Sequence, residues 1–166
     1  MGDDGPDIEE SDDETIGEVA VRGPNLFTGY LNRPDATSEA VRDGWFFTGD
    51  LAARAPDGYL RIVGRRSTDL IKTGGYKVGA GEVETALLGH PGVEEAAVVA
   101  RPDPDLGERI VAFVAVGRGG PAPAVEELID HVAAQLAPHK RPREVRFVDS
   151  LPRNAMGKIQ KTRLEA

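Results

Sequence analysis

Four short apolar runs and two amphipathic helical patterns constrain the fold of this chain more than any other feature. The clearest helical pattern repeats apolar residues at intervals of three and four and stops before Pro138. It consists of Val125, Leu128, Ile129, Val132 and Leu136. This spacing predicts a helix with one buried face. A shorter pattern predicts another helix over residues 80–88, and the apolar runs predict strands near residues 70–72, 94–100, 110–116 and 143–148.

Both helices can lie on one sheet, so the pattern favours a compact α+β domain from about residue 65 to the end of the chain. The part before residue 64 has a different pattern. Polar and apolar residues alternate over residues 18–22, which predicts a strand, and residues 45–48 and 59–63 predict two more strands on either side of a turn at residues 56–58. A short helix is predicted from Pro34 to about residue 41, because proline suits the first helical turn. We therefore expect a small β unit before the α+β domain.

The charge of the chain is concentrated at its start. The formal net charge is -8, but residues 1–14 contain eight Asp and Glu and no Lys or Arg, so the remaining 152 residues carry 20 acidic and 20 basic side chains. Like charges with few apolar residues repel each other and cannot offset the entropy of ordering. We expect residues 1–14 to form a disordered acidic leader. A solvated leader is favoured over an interaction tail.

Composition excludes several kinds of chemistry. The chain has no cysteine, which excludes disulfides, thiolate catalysis and Cys-ligated metals. The three histidines are far apart in the sequence and lack metal-ligand spacing, so we expect no metal site. No apolar run reaches the roughly 18 residues that a membrane span needs, and no signal peptide pattern is present. We therefore expect a cytoplasmic protein with no membrane partner.

Three segments could carry chemistry, and the first is residues 47–51, Phe-Thr-Gly-Asp-Leu. Asp50 follows a glycine at the end of an aromatic strand. Its carboxylate could accept two hydrogen bonds from a vicinal diol such as a ribose. The same carboxylate could instead cap a turn, and on the residues alone the turn is favoured.

The second segment, residues 64–84, has the sequence GRRSTDLIKTGGYKVGAGEVE. Its five glycines allow backbone N–H groups to approach a phosphate closely, and a helix that starts near Ala80 adds its positive end. Basic side chains at positions 65, 66, 72 and 77 favour an anionic ligand. The segment has neither the Walker spacing nor the dinucleotide fingerprint. Tight turns between short strands remain the alternative.

The third segment, residues 151–161, reads LPRNAMGKIQK and lies in a basic region. Residues 139–163 contain eight Lys and Arg and two acidic residues. Gly157 permits a tight turn that exposes Lys158, a point charge suited to a polyanion. Nucleic acid is the rival ligand, but beyond residue 14 the chain is neutral overall and aromatic residues make up only 5% of it. Stacking platforms need more aromatic side chains, so we expect no nucleic-acid partner.

In this order, the segments resemble the adenylate-forming superfamily of acyl-CoA synthetases, luciferases and peptide-synthetase adenylation domains. The resemblance covers residues 17–164 and rests on five stretches: GEVAVRGPNLFTGYLNRP, WFFTGDLA, GRRSTDLIKTGGYKVGAGEVE, LAPHKRP and LPRNAMGKIQK. It implies a small α+β lid domain with a three-stranded core sheet and flanking helices over residues 69–166. Residues 64–68 would be its hinge, and residues 15–63 the last β segment of a large domain. Within the superfamily, the chain is most similar to malonyl-CoA synthetases.

The resemblance assigns nucleotide contacts and a catalytic residue. Asp50 matches the aspartate that holds the ribose hydroxyls of AMP, and Arg65 matches an arginine that also contacts the ribose. Lys158 matches the lysine that reaches the acyl carboxylate and the α-phosphate of ATP during adenylation. An ammonium there stabilises the charge that develops at phosphorus without transferring a proton.

The resemblance also assigns a CoA site and a pivot. After adenylation the lid rotates and its opposite face forms part of the CoA tunnel. The matching positions here are Gly74, Gly75, Tyr76, Lys77 and Gly79, with Lys77 placed to meet a CoA phosphate. The pivot is usually an Asp or Lys two residues after the conserved arginine. Ser67 or Thr68 occupies that place, in a segment one residue longer than the common pattern.

The resemblance further implies what the chain needs from elsewhere. ATP with Mg and the small-molecule carboxylic acid would be bound by a large N-terminal domain, and CoA partly by this chain. The chain alone would therefore be inactive. A second hypothesis treats it as a substrate of a Gcn5-type lysine acetyltransferase, because acylation of Lys158 would remove the charge that adenylation needs.

Overall fold

The chain forms two compact units that meet in sequence between Ser67 and Thr68. The computed structural model describes residues 11–117 and 122–164. The predicted hinge, residues 64–68, includes the boundary between the units, and its role as a hinge stays a prediction. No helix in the described part of the chain is long and apolar enough to cross a membrane.

The first unit is an antiparallel sheet in which one long strand pairs with all the others. Its elements are β1 (Ile16–Val21), α1 (Pro34–Ala40), β2 (Val41–Arg42), β3 (Trp45–Arg54) and β4 (Leu60–Arg65). Strand β3 pairs with β1, β2 and β4. Helix α1 begins at a proline, as its sequence predicts. The expected small β unit is therefore present.

Strand β3 continues through the segment for which the residues alone favoured a turn. That interpretation of residues 47–51 was wrong, because the irregularity is a β-bulge inside the strand. The pairing register shifts opposite Glu18 and Ala20, and Gly49 adopts a positive φ of 75° there. The Thr48 hydroxyl donates a hydrogen bond to Val19 O and accepts one from the N–H of Asp50, so the bulge leaves few backbone groups without partners.

The second unit is an α+β domain, as predicted from its helical and apolar patterns. Its regular elements are β5 (Leu70–Thr73), β6 (Tyr76–Gly79), α2 (Ala80–Leu88), β7 (Val93–Asp103), β8 (Gly107–Val116), α3 (Val125–Gln135) and β9 (Glu144–Phe147). Strands β7, β8 and β9 form the expected three-stranded core. The complete sheet has five strands rather than three, because the β5–β6 hairpin joins β8 through the pair Thr73 and Gly107.

Helix α3 connects β8 to β9. These two strands form the one parallel pair among the described strands. Parallel neighbours need a long crossover, and α3 provides it. The main core lies between this helix, α2 and the sheet. Its fully buried side chains include Leu87, Val98, Ile110 and Leu128.

The other face of β7 and β8 is covered by the C-terminal segment, residues 151–164. Leu151 and Leu164 are buried in a second core with Ala97, Val99, Val111 and Phe113, and Ile159 packs at its border. The two strands are therefore buried on both faces. This explains why their sequences are nearly continuous apolar runs.

The predicted disordered leader, residues 1–14, lies mostly outside the described residues. The described part begins at Ser11, and the side chains of Asp12 and Asp13 have partners. Asp13 forms an ion pair with Arg61 at 3.1 Å, and its N–H donates to Arg54 O. Asp12 accepts hydrogen bonds from the hydroxyl and N–H of Thr15, which lower the pKa of the Asp12 carboxyl to about 2. Asp13 therefore connects the end of the predicted leader to β3 and β4.

Candidate functional site

The first unit brings Asp50 and Arg65 together. They are cross-strand partners in β3 and β4, and Arg65 Nε lies 3.2 Å from Asp50 Oδ1. Arg65 Nη1 also donates to Thr48 O at 2.6 Å. Both side chains are about half exposed. A carboxylate held in this way keeps free lone pairs on the solvent side, which suits a diol that donates two hydrogen bonds.

Glu18, on β1, supports this pair and was missed in the sequence analysis. Its carboxylate accepts a hydrogen bond from the N–H of Gly49 at 3.0 Å and from Arg66 at 2.9 Å. Its side chain is only 17% exposed. The signal for it was an acidic residue inside the otherwise apolar strand sequence IGEVAV. Glu18, Gly49 and Arg65 also line an open groove of about 390 Å³.

Lys158 lies in the second unit on a tight hairpin. Arg153 and Ile159 form an isolated antiparallel bridge, and the N–H of Gly157 donates to Asn154 O at 2.9 Å. The Asn154 side chain accepts hydrogen bonds from the N–H groups of residues 156 and 158. Gly157 has a φ of 82°, a left-handed conformation that glycine adopts without strain. Lys158 is exposed at this turn, as the sequence predicts.

The predicted CoA residues form the β5–β6 hairpin. Gly74 and Gly75 have φ values of 56° and 84° and make its two-residue turn. A turn with two positive φ values matches the twist of the flanking strands and needs residues such as Gly-Gly. The tight-turn alternative for this segment is therefore correct as a description of its backbone. A turn and a ligand site are compatible, because the turn leaves Tyr76 and Lys77 exposed next to it.

The surface of this hairpin has two features, a stacked pair of rings and a pair of lysines on opposite strands. The Tyr76 ring stacks on the His139 ring, with centroids 4.1 Å apart and an angle of 13° between the planes. Lys72 and Lys77 are directly opposite each other and both are exposed. No carboxylate among the described residues forms an ion pair with either. Like charges opposite each other destabilise a hairpin, so this pair favours an anion.

The turn between β7 and β8 supports the glycine hairpin from one side. The N–H of Gly74 donates to Leu106 O at 2.9 Å. The N–H groups of Leu106 and Asp105 donate in turn to the Asp103 carboxylate, which holds the pKa of that carboxyl below its usual range. Residues 103–112, DPDLGERIVA, thus contain the turn that fixes the position of Gly74.

The remaining predicted positions are placed as follows. Gly79 is buried and directly precedes α2, as its N-cap. Ser67 and Thr68 are exposed between β4 and β5. In the described ranges no group of three or more His, Asp or Glu side chains could hold a metal ion. His90 and His131, which are distant in the sequence, pack edge to face with ring centroids 5.0 Å apart.

Comparison with known proteins identifies the class. Residues 82–158 match the family model of the AMP-binding enzyme C-terminal domain. This range contains most of the second unit and ends at Lys158. The chain therefore contains an AMP-binding enzyme C-terminal domain, the kind of domain that its motifs indicate.

The relatives of this chain are CoA ligases. It is 48% identical over 149 residues to the mitochondrial malonate–CoA ligase of Xenopus laevis, covering 89% of this chain and 25% of the relative. Among solved structures, it is similar to o-succinylbenzoate CoA synthetase from Bacillus subtilis in complex with an acyl-adenylate intermediate (36% identity, TM-score 0.82, 92% of this chain and 31% of that chain). It is also similar to a malonyl-CoA ligase with methylmalonyl-CoA and AMP bound (64% identity, TM-score 0.51, covering 88% of this chain and 32% of that chain).

The matches cover only the C-terminal part of these proteins. The chain spans 30% or less of the length of the curated relatives. The solved structures named above confirm the fold class. The activity of the whole relatives does not follow for this chain from the similarity.

Proposed function

We propose that this chain is the C-terminal part of an AMP-forming acid:CoA ligase, either malonyl-CoA synthetase or a close relative. The observation that carries the proposal is the exposed Lys158 at the tip of a tight hairpin, at the end of the matched C-terminal domain. The 64% identity to a malonyl-CoA ligase supports malonate or methylmalonate as the acid.

In the proposed adenylation step, Lys158 acts by its charge. The acyl carboxylate attacks the α-phosphorus of ATP, an acyl–phosphate bond forms, and pyrophosphate leaves. The Lys158 ammonium stabilises the negative charge that spreads over the α-phosphate oxygens and the incoming carboxylate. Asp50 accepts hydrogen bonds from the ribose hydroxyls, and Arg65 holds that carboxylate in place. The proton of Lys158 is not transferred.

In the proposed second step, the β5–β6 hairpin contacts CoA. The support is the like-charged pair of Lys72 and Lys77, which an anionic phosphate would stabilise, and the Gly-Gly turn, which lets a narrow pantetheine chain pass close to the backbone. Ser67 or Thr68 would serve as the pivot between the two steps. As the resemblance implies, Mg would be bound with ATP by the large domain.

The isolated chain is expected to form no adenylate, because the acid site and the phosphate loop would belong to the large domain. Malonate-dependent exchange of pyrophosphate into ATP measures this directly. We expect no exchange by the chain alone. We expect exchange when the chain replaces the matching C-terminal part of the 64% identical malonyl-CoA ligase.

The control is the large domain of that ligase without any C-terminal part. Exchange by the isolated chain would contradict the dependence on a large domain. A soluble fusion that binds ATP, yet shows neither exchange nor malonyl-CoA formation, would contradict the proposed function itself.

A second proposal concerns modification of the same lysine. Lys158 is exposed on a turn, the kind of position that a modifying enzyme can reach. Incubation with a Gcn5-type acetyltransferase and acetyl-CoA is expected to label Lys158, as read by mass spectrometry, with Lys158→Arg as the control. Labelling only at other lysines would exclude this proposal. The cytoplasmic location stays a prediction.

A further inference from the structure

The hairpin that carries Lys158 has little regular structure of its own. Within residues 151–164 the backbone forms one isolated bridge, between Arg153 and Ile159, and a short 3-10 helix, Lys161–Arg163. A two-stranded hairpin of this size is marginally stable in water. The position of Lys158 therefore depends on the contacts that hold the two arms of the hairpin to the domain.

The arm that enters the turn is held by Arg153. Its guanidinium forms an ion pair with Glu95 of β7 and donates a hydrogen bond to Gly157 O at 2.6 Å. One side chain thus joins the turn itself to the sheet. This contact fixes the first half of the hairpin.

The arm that leaves the turn is held by Lys161, three residues after Lys158. Its ammonium lies 2.5 Å from Asp69 Oδ1 and 2.7 Å from Glu84 Oε1. All three side chains are at most 20% exposed. The same Glu84 oxygen accepts a hydrogen bond from the N–H of Val98 at 2.8 Å. Lys161 thus connects the hairpin to the start of β5, to α2 and to β7.

The charges make this connection specific. Two carboxylates converge on the Lys161 ammonium in a partly buried place, so a neutral side chain at position 161 would remove the charge that both of them contact. A long apolar side chain could fill the space but could not hold the arm. Arginine could replace lysine, because it keeps the charge and can reach both carboxylates.

We propose that Lys161 is a positioning residue for adenylation, which acts by fixing the hairpin that presents the Lys158 ammonium. This inference rests on the proposed function, in which Lys158 acts on the α-phosphate. Asp69 directly follows Thr68, one of the two candidate pivots, so the same ion pair also joins the hairpin to the first residues of the unit. Displacement of a catalytic group by about 1 Å is enough to lower a rate by about 100-fold.

The test uses the fusion enzyme with Lys161→Met, Lys161→Arg and, as the matched control in the same segment, Arg163→Met. We expect Lys161→Met to lower kcat for malonate-dependent exchange by about 10- to 100-fold, with KM for ATP changed by less than about threefold. Formation of malonyl-CoA from preformed acyl adenylate should stay within about threefold, because that half-reaction does not use Lys158. Lys161→Arg should restore most of the exchange rate, and Arg163→Met should leave it unchanged.

A second measurement uses the 166-residue chain itself. In Lys161→Met, amide hydrogen exchange should become faster in residues 153–160 and stay unchanged in β7 and β8. If that variant is insoluble, Glu84→Gln replaces it, with a smaller effect of the same sign because the Asp69 pair remains.

The outcomes separate this inference from the proposed function. Faster amide exchange in the hairpin with unchanged adenylation kinetics would overturn the positioning role. Lys161 would then stabilise the hairpin without affecting adenylation. Equal losses in both half-reactions would also overturn it. If Lys158→Ala in the same fusion leaves adenylation unchanged, the proposed function fails, whatever Lys161 does.

Discussion

At the scale of single residues, the candidate site residues of this chain contact neighbours that are distant in sequence. Asp50 and Arg65 could be named from their motifs, but their ion pair was not predicted and comes from the structure. The roles of Glu18 and Lys161 were not predicted, and only Glu18 had a sequence signal, as the one acidic residue in the strand IGEVAV. Lys161 and Asp69 are 92 residues apart, and nothing in a single sequence indicates which of many charged residues will meet. A sequence motif can identify a candidate catalytic residue, whereas tertiary packing determines which residues hold it in place.

Gly157 gives a test at this scale. Its φ of 82° is unfavourable for residues with a Cβ, and no atom lies within 4 Å of a Cβ built there. Gly157→Ala should therefore cost backbone strain alone, about 1–2 kcal/mol, without a steric clash. We expect amide exchange in residues 153–160 to be about 5- to 30-fold faster, measured by mass spectrometry.

The control is Met156→Ala, because Met156 is exposed and is not among the residues with positive φ. It should leave the exchange rates of the hairpin unchanged. Equal rates in the Gly157→Ala variant and the unaltered chain would show that the turn does not depend on a left-handed residue.

At the scale of elements, the predicted ends of helices agreed with the structure where a proline starts or stops a helix. Helix α1 begins at a proline, α3 ends shortly before Pro138, and α2 occupies the predicted residues 80–88. The prediction was wrong at β3, because a bulge around Gly49 looks like a turn in the sequence. It missed β6, because YKVG is too short and too mixed in polarity to show a strand period.

At the scale of the whole molecule, the order of strands in the sheet could not be derived from periodicity. Alternating helices and strands predict a two-layer domain, but they do not show that β8 pairs antiparallel with β7 and parallel with β9. The second face of β7 and β8 is covered by residues 151–164, whose sequence is largely polar. The segment packs on the sheet through three spaced apolar residues, Leu151, Ile159 and Leu164, which is too weak a pattern to predict the packing from the sequence.

The second unit presents exposed lysines on two separate hairpins. The Lys158 hairpin and the β5–β6 hairpin belong to the same unit, and each presents an exposed lysine on a glycine turn. In the proposed function these two surfaces serve successive half-reactions. We therefore expect that the two hairpins can be inactivated separately.

The most direct test is Lys158→Ala in the fusion enzyme, with both half-reactions measured on the same preparation. We predict that malonate-dependent pyrophosphate exchange falls by about 100- to 1,000-fold, because the developing charge loses its stabilising ammonium. We predict that malonyl-CoA formation from preformed acyl adenylate stays within about threefold of the unaltered fusion. Exchange at an unaltered rate, or an equal loss in both half-reactions, would contradict the central claim that Lys158 serves adenylation alone.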